Sequence, residues 1–281
     1  MSFGPNPWQQ TSWDARAAGN FICGGAGAGL IVFTALSGAQ GPALTALMVG
    51  GLGLVGAGLF CVFLELGRPL RAINVLFNPR TSWMSREAFT AALLFPTGLA
   101  AAAGLPGFAL LAALLALVFV GCQGRMLQAA KGIPAWREPL LAPLIVTTAL
   151  TEGGGVFLLT VPLHGAATES LTAAFGVLVI ARVLVWLVYR RHLDGKLATR
   201  AHTALDRAGR VLQLAGTLAP LALIAMIGSG IVAGEQILVV AAVAGLAALL
   251  AGSYFKFALV TRAGFNQGFA LSHLPVRGTR S

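Results

Sequence analysis

Charged side chains are scarce in this 281-residue chain, where 19 Lys and Arg and nine Asp and Glu make up only 10% of the sequence. A soluble surface carries about 25–35% charged residues, so this supply cannot coat a soluble domain of that length. With 57% hydrophobic residues and a mean hydropathy of +0.83, the composition excludes a water-soluble globule and indicates an integral membrane protein.

Cysteine and histidine are also sparse, and neither is placed for metal chemistry. Cys23, Cys61 and Cys122 are far apart inside apolar runs, with no CxxC or Cys/His cluster. That pattern argues against zinc or an iron–sulfur cluster on this chain and reads as small core residues. His164, His192, His202 and His273 fall in predicted loops or tails. A transmembrane cytochrome draws its haem ligands from inside its helices, so no haem is expected. HExxH, GxSxG, a P-loop and the arginine repeats of a voltage sensor are missing too. Gly51 to Gly56 matches GxGxxG literally, but it lies inside an apolar run with no soluble strand before it. It is therefore read as helix packing. If such a chain handles electrons, it needs a diffusible carrier and a cofactor on another subunit.

What the chain does contain is a series of apolar runs of roughly membrane-spanning length. These predict helices at 20–37, 44–66, 87–104, 107–128, 139–162, 169–190, 210–233 and 236–260. The expected fold is an all-α integral membrane protein of eight transmembrane helices in two packed four-helix bundles, 20–128 and 139–260. An N-terminal docking tail (1–19) and a C-terminal tail (261–281) flank them. Residues 1–20 are polar and aromatic with no signal-peptide core, so the first apolar run is expected to remain as a helix. Small residues such as Gly25 and Gly29 recur at helical spacing and predict tight packing of the first two helices.

The cations orient this arrangement. All 19 Lys and Arg except Arg182 fall on one side of it, and the segments 37–44, 104–107, 162–169 and 233–236 contain none. The positive-inside rule makes the loaded side cytoplasmic, with both termini on it. The net charge of +10 therefore reads as membrane flanks and not as a nucleic-acid surface. Trp8, Trp13, Trp83, Trp136, Trp186, Tyr189 and Tyr254 fall on or near the same side. A lipid belt decorates both interfaces, so this bias indicates a face that also contacts a protein or a ligand.

Ionisable groups at membrane depth mark sites or buried pairs. Glu152, beside Gly153-Gly154-Gly155, and Arg182 lie at similar depth on consecutive helices, which predicts either an ion pair between them or part of a proton path. Lys256, near a helix end, is expected to snorkel and anchor. At the loaded interface lie Asn20, Glu65, Arg68, Trp83, Ser85, Arg86 and Glu87. An aromatic plate, hydroxyl donors and a carboxylate in one place would suit a quinol head group. Glu87 has a plainer reading too, as a complement to its helix N-terminus.

The segment from Glu65-Leu66-Gly67-Arg68-Pro69-Leu70-Arg71-Ala72 to Asn78-Pro79-Arg80-Thr81-Ser82-Trp83-Met84-Ser85-Arg86-Glu87 resembles the NrfD/DmsC superfamily of membrane anchor subunits. The resemblance extends over nearly the whole chain. It implies exchange of electrons between a membrane quinone (menaquinone or ubiquinone) and a ferredoxin-like subunit carrying several iron–sulfur clusters. That subunit serves in turn a molybdopterin or tungstopterin catalytic subunit. It also implies a role for Glu87 in quinol handling. The family's histidine at the end of the second helix is missing here, and Glu65 stands as its candidate substitute. The opening Pro7-Trp8-Gln9-Gln10-Thr11-Ser12-Trp13-Asp14 and Arg16-Ala17-Ala18-Gly19-Asn20-Phe21 resembles the membrane subunits of phenylacetyl-CoA:acceptor oxidoreductases. Their CoA thioester substrate agrees with a cytoplasmic loaded face. Two other readings stay open from the residues alone: a transporter with a midplane site at Glu152, Arg182 and a broken Gly153–Gly155 helix, and a purely structural anchor.

Overall fold

The computed structural model describes residues 4, 6–65, 69–164 and 169–269, with the backbone alone at 69–72 and 164. Arg68, His273, Arg277 and Arg280 lie outside the described residues. The long helices are α1 (Ala15–Leu36), α2 (Gly41–Glu65), α3 (Trp83–Ala102), α4 (Phe108–Ala129), α5 (Leu141–His164), α6 (Glu169–His192), α7 (Thr199–Gly228) and α8 (Gln236–Thr261). A 3₁₀ segment (Pro69–Phe77) joins α2 to α3, and a single turn (Pro134–Arg137) precedes α5. All of these helices except α3 are long and apolar enough to cross a membrane. Their outward faces are as greasy as a core: Leu93, Leu114, Leu184 and Leu250 are each more than half exposed. Surfaces of that kind belong in lipid. The chain is an all-α multi-pass membrane protein.

Three helices begin at least four residues earlier than their hydropathy implies. Asp14 caps α1 by accepting from the Arg16 amide, so residues 15–19 of the expected docking tail are helical. Ser82 caps α3, accepting from the Ser85 amide, and Glu87 therefore lies beyond the first turn instead of at the helix end. The basic segment read as a loop up to Arg210 is the amphipathic first half of α7, whose Ala201, Leu205, Ala208 and Leu212 are buried. α7 also ends at Gly228, short of the expected 233. The preceding polypeptide folds back as well: Gln9 bridges to Phe265, and the Trp8 amide donates to Asn266 Oδ1 at 3.0 Å.

Packing rests on small residues, because lipid supplies no hydrophobic drive between helices. α5 is the hub, touching α1, α4, α6 and α8. α1 does pack on α2, but through Gly24 and Gly27, not Gly25 and Gly29. A Cβ on Gly27 would stand 2.7 Å from the Val55 amide nitrogen. Gly25 and Gly29 instead seat α5, where a Cβ on Gly29 would meet Gly153 Cα at 2.9 Å. The three consecutive glycines of α5 do not break the helix. At about 100° per residue they face three different neighbours: Gly153 meets α1, Gly154 lies against Phe33 and Phe175, and Gly155 meets Gly245 of α8.

Substituting Gly153 with Ala drives a methyl into the α1 backbone and is expected to cost about 1–3 kcal/mol. Gly121→Ala, with nothing within 4 Å of the new methyl, is expected to be neutral. Thermal unfolding in a neutral detergent checks the pair, and equal midpoints would refute close α1–α5 contact.

Candidate functional site

Alternating helix direction brings the starts of α1, α3, α5 and α7 and the ends of α2, α4, α6 and α8 to one face. Among the described residues the Lys and Arg side chains gather on it, save Arg182 and Lys256 in the interior. Ion pairs lock its perimeter. Arg190 reaches Asp194 at 2.5 Å and Asp206 at 2.6 Å, and Glu138 accepts from His192 at 3.0 Å. The aromatic cluster divides into two groups. Trp136, Trp186 and Tyr189 are core residues, with Trp136 Nε1 donating to Leu259 O at 3.0 Å and Tyr189 to Ala135 O at 2.7 Å. Trp8, Trp13 and Trp83 remain accessible.

Within this face, between α1, α2, α3 and α4, lies a cavity of about 190 Å³. Trp13, Phe21, Val62, Met84 and Met126 wall it, and Asn20 and Glu65 are its polar groups. Enclosed sites for drug-sized ligands run to roughly 300–1,000 Å³, so this one suits a single ring whose tail stays outside. Its frame is tied across helices. Arg16 Nη1 donates to Leu64 O at 2.7 Å, fixing the end of α2, and hence Glu65, against the start of α1. Asp14, which receives hydrogen bonds from the Arg16 side chain and amide, is held below the usual carboxylate range. Trp13 stacks on Phe21 at 5.9 Å and meets Trp136 at 5.1 Å.

Glu87 stands one residue behind the cavity. It is buried, and Asn20 Nδ2 donates to its Oε1 at 3.1 Å. Gln123 Nε2 donates to the Asn20 carbonyl at 3.1 Å. The oxygens left over, Asn20 Oδ1 and Gln123 Oε1, are buried with no hydrogen-bond partner. Polar atoms in that condition are costly; Asn20 Oδ1 lies against the α1–α2 crossing, 3.1 Å from where a Cβ on Gly58 would stand.

The other interfacial residues go elsewhere. Arg86 donates to Pro79 O and Arg80 O, each at 2.8 Å, and lies over Trp83, 4.1 Å from the ring centroid. Trp83 lines a separate, outer cavity with Arg125, Lys131 and Arg137. Ser85 is buried in α3. The expected plate of Trp83, Ser85, Arg86 and Glu87 is thus divided. Asn20, Glu65 and Glu87 cluster, while Trp83 and Arg86 face another way.

A second polar centre lies deeper. Glu152 pairs not with Arg182 but with Lys256, Nζ to Oε2 at 2.5 Å, with both side chains fully buried. Lys256 is no snorkelling anchor; its ammonium also donates to Phe21 O at 2.7 Å. Arg182 donates to the carbonyls of Gly216 and, at 3.4 Å, Ala248. Both acceptor carbonyls nearest these cations, Phe21 and Gly216, lie in single π-helical turns (Asn20–Gly24 in α1, Leu214–Leu218 in α7). Such turns are rare and frequent at functional sites. The sequence does carry a sign of Lys256's burial. It stands on the small-residue face of α8 with Ala248, Gly252 and Leu259, the face that packs, and not with exposed Leu246 and Leu250. Gly252 makes the approach possible, since a Cβ there would meet Glu152 Cγ at 2.9 Å.

Replacing Lys256 with Met removes one partner of a buried pair, a change that costs about 3–5 kcal/mol. The double variant with Glu152→Gln is expected to recover much of that loss. Thermal unfolding of both variants measures the coupling, and additive losses would mean that the two side chains do not pair.

No individual curated protein matches the chain. Among the described residues no group of three His, Cys, Asp or Glu is placed to hold a metal ion. Residues 15–254, from the capped start of α1 to within α8, match the family described as DMSO reductase anchor subunit (DmsC), and the chain belongs to that family of membrane anchor subunits.

Proposed function

We propose that this chain is the quinone-reactive membrane anchor of a multi-subunit oxidoreductase, without a redox cofactor or substrate chemistry of its own. The observation that carries this reading is Asn20: it lines a ring-sized cavity at the cation-rich face, donates to buried Glu87, and leaves its Oδ1 unpartnered. The quinone, menaquinone or ubiquinone, is an exchangeable substrate that enters from lipid. Asn20 positions the head group at the cavity wall, the aromatic and methionine walls exclude water, and Glu65 at the cavity takes or supplies a proton. Glu87 holds a second proton behind Asn20, one hydrogen bond from the cavity. Direct proton transfer needs a carboxylate within hydrogen-bond reach of the ring; Glu65 takes that place, and Glu87 is the reserve behind it.

On this reading all eight long helices span the bilayer as two four-helix bundles joined along α1 and α5, with both termini cytoplasmic. The host is the inner membrane of a bacterium. A ferredoxin-like iron–sulfur subunit docks on the cation-rich face near residues 68–86 and the N-terminal aromatics, and connects to a molybdopterin or tungstopterin subunit. The opening residues favour an acyl-CoA:acceptor oxidoreductase, in which electrons run towards quinone. Glu152, Lys256 and Arg182 act as a structural clamp. The unbroken α5 and the saturated Glu152–Lys256 pair speak against a midplane transport site.

In the assembled complex, Glu87→Gln is expected to lower quinone-coupled turnover at least tenfold, below the ~10²–10⁴-fold typical of a general acid–base group in direct contact, while artificial-acceptor turnover and assembly persist. Asn20→Ala is expected to raise the quinone KM more than it changes kcat. Unchanged quinone kinetics in both variants would overturn the assignment.

A further inference from the structure

The outer cavity beside Trp83 belongs to neither the ring-sized cavity nor the buried clamp. Its volume is about 500 Å³, and Trp83, Arg125, Gln128, Lys131 and Arg137 line it. Two guanidinium groups, those of Arg86 and Arg125, approach the same indole, at 4.1 and 5.1 Å from its centroid. Arg125 donates to Gln128 Oε1 at 2.6 Å, and Arg137 donates to the Gln267 amide oxygen at 2.8 Å once that amide is oriented to suit it. These neutral acceptors leave the charge uncompensated. All nine acidic side chains of the protein fall within the described residues, and none forms an ion pair with Arg86, Arg125, Lys131 or Arg137. Three cations lining the cavity, with Arg86 beside them on the Trp83 ring, therefore await an anion that no described acidic side chain supplies.

The surface leading to the cavity identifies that anion. On α4, Leu111, Leu114 and Val118 are exposed by 46%, 61% and 54%, and Arg125 continues the same stripe seven residues on. On α3, exposed Phe89 and Leu93 follow Arg86 at spacings of three and seven. Residues at those intervals share one helix face. α3 and α4 pack as a hairpin, so two apolar stripes that face lipid end together at the cluster of cations. A free anion or an acidic peptide would use the charge but not the stripes.

We propose that this groove is a binding site for an anionic phospholipid, its phosphate held by Arg125, Lys131 and Arg137 and its acyl chains laid along α3 and α4. Basic pockets between helices on the positive side of a membrane are suited to such head groups, and guanidinium forks match phosphate oxygens. The site is independent of the quinone reading.

The test uses the full-length protein in neutral detergent, titrated with phosphatidylglycerol or phosphatidylcholine of identical acyl chains and read by native mass spectrometry. A preference for phosphatidylglycerol of roughly tenfold to thirtyfold is expected, as two or so interfacial cations supply. The R125Q/K131Q double variant, altered at two exposed positions and checked by its unfolding midpoint, is expected to lose that preference. R200Q/R207Q, altered at a different basic patch of the same face, is expected to keep it. Millimolar inorganic phosphate is expected not to displace the lipid. Equal retention of the two lipids, displacement by phosphate, or an equal loss in both double variants would each overturn the proposal.

Discussion

The near contact of two backbones, α1 and α5 at Gly29 and Gly153, is the constraint from which the rest of the arrangement follows. Inside a bilayer, apolar side chains gain nothing by leaving lipid for protein, so association depends on close, extensive van der Waals contact. Removing the side chains at the crossing lets the helices approach to a separation that no larger residue allows. The position of α1 then sets the position of everything it carries. Its π turn presents the Phe21 carbonyl to Lys256 of α8, while Asn20, one residue earlier, reaches Glu87 of α3. One short stretch of backbone thus serves the deep ion pair and the interfacial cavity at once.

The ion pair is best understood as a consequence of that geometry. Burying an ammonium and a carboxylate is expensive, and their attraction offsets the cost only when the remaining hydrogen-bonding capacity is also met. Here Lys256 adds the Phe21 carbonyl to its Glu152 contact, and Ser253 lies within 3.5 Å of the other Glu152 oxygen. Arg182 has no carboxylate within ion-pair distance, feels Glu152 only across a gap, and hydrogen-bonds to backbone carbonyls, leaving its Nε bare. A helix carbonyl is normally committed within its own helix. Both cations turn to π turns, where the regular ladder is interrupted, and the two irregularities are matched to the two charges.

Much of this was legible in the residues because membranes impose coarse rules. Long apolar runs and the few charges between them led to an all-α multi-pass membrane protein, and the family match over residues 15–254 agrees with a membrane anchor subunit. What was illegible depended on helix phase. The amphipathic start of α7 looks like a loop by hydropathy, since Thr199 to Gln213 alternates charge with small apolar residues, and only their periodicity reveals the buried stripe. The distance of Lys256 from the helix end suits snorkelling, whereas its face, shared with Gly252, does not. Trp83 and Glu87 are close in sequence, which makes them resemble one site. Arg86 and Glu87, consecutive on α3, point about 100° apart, and the structure uses them in different places.

That division has a chemical logic. The ring-sized cavity offers one carboxylate, one amide and apolar walls, while the outer groove offers cations beside an indole and no acid. A neutral ring loses little by entering the first, whereas a lipid phosphate would meet Glu65 there, with Arg16 already committed to Asp14 and Leu64 O. In the second the phosphate is welcome. Discrimination between two classes of amphiphile, both arriving from the same bilayer, then rests on the sign of the nearest charge, a repulsive element as much as an attractive one. On the two proposed readings the basic rim keeps anionic lipid at the periphery, and the cavity with Glu65 stays open to a neutral ring.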